Sequence, residues 1–141
     1  MARKGAALDR ILRVRDVQLG MVRAEEARAQ EKLASETALR DRIAALAANI
    51  APVTDAAAAA FSLKAAAHYR ERLHQSASAA EARVAQAVAQ AERAADATRE
   101  ARRDQSAIEK LIAKRATEAA LKEMRALQNA PPIRKVRHDP C

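Results

Sequence analysis

The residues from Leu63 to Ile112 repeat an apolar pattern that constrains the fold more than any other feature of the sequence. In steps of three and four, nearly every position is apolar, and most are alanine. The stretch contains neither Gly nor Pro, so the seven-residue repeat predicts a long helix whose apolar seam packs against another helix. Only Arg70, Thr98 and Gln105 interrupt this seam.

The amino-acid composition agrees with a coiled coil. Charged residues make up 31% of the chain and apolar residues 50%, but aromatic residues only 1%, and there are two glycines. A chain with so few aromatic residues has little material for a globular core, whereas heavy use of Ala, Arg and Glu with this periodicity is typical of long paired helices.

A second apolar stripe lies between about residue 8 and residue 50 and predicts a first helix. Glu36 and Arg40 are expected to form a supporting pair beside the stripe. Near its start the stripe gains a second apolar edge, interleaved with arginines, which is either ordinary packing surface or a partner surface. The edge consists of Ile11, Val14, Val17 and Met21.

Pro52 disfavours helical geometry at the preceding residue, and Thr54 and Asp55 are good caps for a helix that follows. We therefore predict an all-α fold, a long antiparallel two-helix coiled-coil hairpin. The first helix covers about 6–50, the bend 51–55 and the second helix 56–129. The prolines at 131 and 132 end the second helix, and 130–141 is expected to be a basic, disordered tail.

A bend centred near residue 52 sets the expected register. It places Leu33 beside Leu73 and Val22 beside Val84, and it exhausts the pairing near Ala101. About a third of the second helix then overhangs, including Ile108 and Ile112. The predicted seam residues are Leu12, Leu19, Val22, Leu33, Ile43, Leu63, Leu73, Val84, Ile108 and Ile112.

The net charge of +8 is concentrated toward the two ends of the chain. Residues 1–23 hold six Lys/Arg against two acids and 102–141 hold ten against five, whereas 24–101 hold ten against eleven. A hairpin brings both basic segments to one tip and leaves the bend tip neutral. Near the neutral tip lie the two aromatic residues, Phe61 and Tyr69, which either cover seam alanines or form an exposed docking patch.

Residues that carry chemistry are sparse. Gly5 and Gly20 are isolated, so no phosphate-binding loop is expected. His68 and His74 are six residues apart and fall on different faces of a helix, and we expect no metal site there or at His138, Asp139 and Cys141. We predict a protein that is not an enzyme, with no catalytic residue, cofactor, metal or small-molecule substrate.

The N-terminal residues MARKGAALDRILRVRDV show no continuous apolar segment, and no stretch predicts a membrane span. The single cysteine, Cys141, has no intrachain disulfide partner. These features indicate a cytoplasmic protein.

The opening Leu8-Asp9-Arg10-Ile11-Leu12-Arg13-Val14-Arg15-Asp16 resembles the start of FliJ-type proteins. The basic stretch from Ala107 to Arg115 and the plan of a shorter helix, a bend and a longer helix are also similar to that family across nearly the whole chain. FliJ-type proteins are soluble stalks of the flagellar, or type III, protein export apparatus. The resemblance implies a role in flagellum biogenesis, at the cytoplasmic side of the inner-membrane export apparatus.

By the same resemblance, the partners would be a hexameric export ATPase, a membrane export gate protein and export chaperones. Phe61 and Tyr69 would face the gate, and membrane association would occur through protein partners. The residues that would face the ATPase are Arg13, Arg15, Arg102, Arg103, Lys110, Lys114 and Arg115.

Two alternatives stay open at this point. One is a scaffold that self-associates through the overhang from Ile108 to Leu127. The other is nucleic-acid binding, suggested by a sequence pI near 10.4, although acids interleave with the basic residues and no aromatic stacking platform is present. We also expect low thermal stability in isolation, because an alanine seam buries little apolar area.

Overall fold

The computed structural model describes the backbone of residues 2–49 and 59–131 and the side chains of 5–49 and 63–131. Two helices account for almost all of this. Helix α1 runs from Ala2–Ala48 over 47 residues, and helix α2 from Ala59–Gln128 over 70 residues. At a rise of 1.5 Å per residue, they are about 70 Å and about 105 Å long. The predicted bend at 51–55, and the tail beyond residue 131, lie outside the described residues.

The helices pack side by side and antiparallel, which confirms the predicted fold class. Arg15 of α1 pairs with Asp104 of α2, and Glu36 pairs with Arg83, so position rises along α1 as it falls along α2. The two helices form one long coil with a continuous seam.

The seam of α2 follows the predicted repeat. Val84, Ala87 and Ala91 are buried, and the remaining positions at this spacing from Leu73 to Ile112 are buried or half-buried. The residues between them are mostly exposed. In α1 the matching positions are Leu8, Leu12, Arg15, Leu19, Val22, Glu26, Ala29, Leu33, Glu36, Arg40 and Ile43.

The predicted register is wrong by two heptads. The numbers of the linked residues, such as 15 with 104 and 36 with 83, add up to about 120. The sequence-based prediction paired residues whose numbers add up to about 105. Leu33 therefore lies opposite Ala87 rather than Leu73, and Val22 lies opposite Thr98. Because a heptad pattern repeats itself after every seven residues, the apolar stripes coincide in both registers and do not distinguish them.

The corrected register also changes the overhang of α2. Ile108 and Ile112 are half-buried and lie at the level of Leu12 and Leu8, so they are covered by α1. The overhang at this end begins near residue 119. At the other end α2 extends past the level of Ala48, where α1 ends. Leu63 lies there and is 57% exposed, so it is not a seam residue against α1.

Candidate partner-binding surfaces

One end of the coil contains the start of α1 and the last half of α2, and we call it the basic end. It comprises residues 5–23 and 97–128. Six of the seven residues expected to face an ATPase are exposed here, and none of the six forms an ion pair among the described residues. They are Arg13, Arg102, Arg103, Lys110, Lys114 and Arg115. Arg103, Lys110 and Lys114 are seven and four residues apart and share the outer face of α2.

Arg15, the seventh of these residues, is placed differently. It occupies a seam position, is half-buried, and its guanidinium lies 3.0 Å from the carboxylate of Asp104. It also donates to the amide oxygen of Gln18 at 3.0 Å. Arg15 is therefore part of the contact between the helices, and its charge is matched within the chain.

The side chains around Arg15 form a polar layer across the coil, which we define as Arg15, Asp16, Gln18, Asp104 and Gln105. The Gln105 amide donates to Asp16 Oδ1 at 2.6 Å. Three heptads further along α1, Arg83 of α2 lies 3.1 Å from the Glu36 carboxylate. These contacts exist only in the observed register, so they select it where the alanines cannot.

Glu36 and Arg40 do not pair with each other as expected, because both occupy seam positions and point toward α2. Arg40 is bonded to the neighbouring Asp41 at 2.8 Å and lies 3.9 Å from Glu81 of α2. The hydrogen bond that Arg40 donates to the Asp41 carboxylate, and then the negative charge of Asp41, raise the pKa of Arg40 above its ordinary value. Arg40 thus stays cationic inside the contact. The sequence contained a signal for Arg15, Glu36 and Arg40, since these three residues fall on the three-and-four spacing of the seam.

Thr98 is the buried polar residue of the seam, with 4% of its surface exposed. Its hydroxyl donates to the carbonyl oxygen of Ala94 at 3.1 Å and lies 3.4 Å from the carbonyl oxygen of Val22 on α1. A buried hydroxyl bonded to its own helix costs little, so this interruption of the apolar seam is accommodated without a charge.

The second apolar edge of α1 faces solvent. We call Ile11, Val14, Val17 and Met21 the apolar stripe. Their exposed fractions are 43%, 56%, 64% and 65%. Of the two interpretations that the sequence left open, ordinary packing against α2 is therefore wrong for this edge. The stripe lies on the outer face of α1, within the basic end.

A groove lies between the two helices at the basic end. Its volume is about 470 Å³, and its floor is formed by Leu8, Ile112 and small residues of α2, with Arg115 and Lys122 at the rim. Gly5 occupies a seam position here, and a methyl group added to it would meet no atom within 4 Å. The seam therefore ends in an open cleft rather than in a closed layer.

The surface at the opposite end has fewer described side chains. Tyr69 is 51% exposed, and Leu46 is 54% exposed. The backbone of Phe61 belongs to α2, but its side chain lies outside the described residues, so its predicted pairing with Tyr69 stays a prediction. His68 and His74 are both exposed on α2.

Within the ranges that the structure describes, no group of three or more His, Cys, Asp and Glu side chains is arranged to hold a metal ion. Neither described helix has a segment of the length and apolarity that a membrane crossing requires. No family model matches the chain, and comparisons with curated proteins and with solved structures found no match.

Proposed function

We propose that the chain is a non-enzymatic coiled-coil stalk of a flagellar, or type III, protein export apparatus. In this function it links a hexameric export ATPase to a membrane export gate, with export chaperones as further partners. The observation that supports the proposal best is the polarity of the rod. The described residues of the basic end hold twelve Lys/Arg against seven acids, and the exposed Tyr69 and Leu46 lie near the other end.

The outer face of α2 supplies the candidate contact with the ATPase. Arg103, Lys110 and Lys114 lie within about 17 Å along the axis, and no described acid neutralises them. Long cationic side chains on a helix can follow an acidic ring lining while the ring changes conformation, because such contacts depend weakly on exact geometry. This chain would fill the centre of the ATPase ring and transmit the movement of the ring to the export gate.

The polar layer suits a rod that carries force. Slippage of α1 along α2 by one heptad separates Arg15 from Asp104 and Glu36 from Arg83 at the same time. Each pair is partly exposed and contributes modestly, but a slip loses both pairs at once, so together they oppose slippage that an all-alanine seam would permit. A stalk that transmits movement between two partners needs this resistance.

The proposal is tested by measuring ATP hydrolysis by the export ATPase from the same organism, with and without the full-length chain. We expect stimulation by the natural chain and its loss when Arg103, Lys110 and Lys114 are changed together to Glu. The matched control changes Arg42, Arg72 and Arg93 to Glu, because these three are also exposed and unpaired among the described residues but lie outside the basic end. No stimulation by the natural chain, or equal loss in both variants, contradicts the proposal.

Self-association is the second candidate, and one observation favours it. Leu121, Met124 and Leu127 of the overhang are 48%, 55% and 76% exposed. They lie on faces of α2 that turn away from the seam, so they do not continue the hairpin contact. Light scattering separates the candidates, because a stalk is expected as an elongated monomer. A stable oligomer that Leu127→Ser dissolves supports the scaffold.

A further inference from the structure

We infer that the apolar stripe of α1 is a docking site for an acidic amphipathic helix of another protein. The inference rests on the fold and on the charges around the stripe, and it does not depend on the export function proposed above. Ile11, Val14, Val17 and Met21 follow one another at helical spacing over about 15 Å, or nearly three turns. A partner helix of about three turns can cover all four side chains.

The stripe continues onto α2. Lys32 and Gln90 lie on one flank of the coil, where the Lys32 ammonium is 3.4 Å from the Gln90 amide oxygen. Ile11 is three heptads before Lys32, and Leu111 is three heptads after Gln90, so the register places Ile11 and Leu111 side by side on this same flank. Leu111 is 48% exposed. The docking surface is therefore the outer face of α1, with Leu111 of α2 added beside Ile11 at one end.

The charges beside the stripe indicate which helix it receives. Arg10 and Arg13 border the stripe on α1, and Lys110 and Lys114 border Leu111 on α2. All four are exposed, and none forms an ion pair with a described residue. Two acids share this flank of α2 with Leu111, one heptad to either side of it. Asp104 is paired with Arg15, and Glu118 lies toward the overhang of α2. An apolar surface with free cations on both sides is complementary to a helix with apolar residues along its centre and Asp or Glu on its flanks.

The same charges disfavour other occupants. A second copy of this chain would bring a second set of arginines and lysines against the first, and like charges at an interface are repulsive. Proteins bind single-stranded nucleic acid by stacking its bases on aromatic side chains, and the side chains of the stripe are aliphatic. An anionic lipid surface would also meet the cations, but stable interfacial helices present bulky aromatic or leucine-rich faces, and this stripe has neither.

Gly20 lies beside the stripe on the outside of α1. A methyl group added there would meet no atom within 4 Å, so no contact with the described residues requires a glycine. A glycine in a helix weakens it relative to alanine. Its place next to Val17 and Met21 is explained if a partner backbone approaches closely at this point.

The test uses the full chain and a synthetic helical probe. The probe is a fluorescent peptide of three to four turns with Leu at positions i, i+3, i+4 and i+7 and Glu on both flanks. A second peptide has Lys in place of every Glu, and a third has the same residues in scrambled order. We expect the acidic peptide to bind by fluorescence anisotropy at least about tenfold more tightly than either control peptide.

Two pairs of variants locate the binding. Val17→Ser with Met21→Ser should weaken binding by about tenfold or more, because two of the four apolar side chains of the stripe are truncated. The control, Leu39→Ser, removes a leucine that is 41% exposed on the flank of Ile11 but far from the basic end. Arg10→Glu with Arg13→Glu should weaken binding similarly, and Arg42→Glu should not. Because all the changed residues are exposed, we expect each variant to keep its helix content, which is checked by circular dichroism.

Four outcomes overturn the inference. They are equal binding of the acidic and basic peptides, equal binding by the stripe variant and the natural chain, a dimer that the stripe variant dissolves, and sedimentation with phosphatidylserine vesicles that the stripe variant abolishes. Binding of the acidic peptide by a chain that does not stimulate an export ATPase leaves this inference intact and contradicts only the proposed function.

Discussion

The register of the hairpin gives the sharpest prediction, because two placements of the same helices differ by a large distance. In the observed register Ala29 lies opposite Ala91, and these residues are 6% and 3% exposed. In the register that a short bend would impose, Ala29 lies opposite Ala77. Residues 77 and 91 are two heptads apart, which is about 21 Å along the helix.

We expect Ala29→Cys with Ala91→Cys to form a disulfide under mild oxidation, and Ala29→Cys with Ala77→Cys to remain reduced. A disulfide requires Cα atoms 4.4–6.8 Å apart, so a displacement of about 21 Å prevents it. Cys141 is changed to Ser in both variants to leave one possible bond. The oxidised chain migrates faster in a non-reducing gel, and mass spectrometry of tryptic peptides identifies the bonded pair.

The disulfide should also stabilise the hairpin. It closes a loop from residue 29 to residue 91, and the chain-entropy relation for a loop of about 60 residues gives about 4 kcal/mol. This gain is measured by urea unfolding with and without reductant. A disulfide between residues 29 and 77, or equal yields from the two pairs, would refute the register and with it the polar layer.

Three further changes test the packing, each by urea unfolding followed by circular dichroism. Gly20→Ala should raise the free energy of unfolding by about 0.5–1 kcal/mol, since the added methyl group meets no atom and alanine favours the helix; a loss would mean that α1 is strained there. Asp104→Ala should lower the free energy of unfolding by about 0.5–1 kcal/mol, because Arg15 loses its partner while both side chains are partly exposed. The control is Asp96→Ala, which removes an ion pair within α2. Ala87→Leu should lower the free energy of unfolding by about 1–3 kcal/mol, because Ala87 is 1% exposed opposite Leu33 and has no room for three more carbons. The control Ala97→Leu changes an exposed residue and should be close to neutral. Equal effects at 87 and 97 would place Ala87 outside the seam.

The sequence predicted which residues face the seam but not how the two seams align. Periodicity identifies a face, and every position from Leu73 to Ile112 at the three-and-four spacing is at least partly covered. Alignment depends on the few seam residues that are polar or charged. Arg15, Glu36 and Arg40 contain that information, but the sequence alone led us to expect Glu36 and Arg40 beside the stripe and Arg15 on the ATPase-facing surface.

The candidate site was predictable to a similar extent. Charge segregation along the chain, combined with a hairpin, was sufficient to expect a basic end. It could not show that Arg15 is paired with Asp104 whereas Arg13 is exposed, because that difference depends on the register. Nor could it decide whether Val14 and Val17 are covered, since a second apolar edge has the same spacing whether it meets solvent or a third helix.

The thin core connects the fold to the proposed role. Four of the six buried apolar side chains among the described residues are alanines, namely Ala29, Ala80, Ala87 and Ala91. Alanine contributes much less buried area than leucine, so the hairpin gains little from burial for each residue that it orders. We therefore expect a low melting temperature for the isolated chain and a clear rise when a partner binds. A partner at a concentration about a hundred times its Kd adds about 2.7 kcal/mol. Thermal melts with and without the export ATPase measure this rise, and melts with the acidic peptide test the stripe separately. A high melting temperature that neither partner changes would contradict the link between the alanine seam and partner dependence, because it would show that the hairpin is stable by its own contacts.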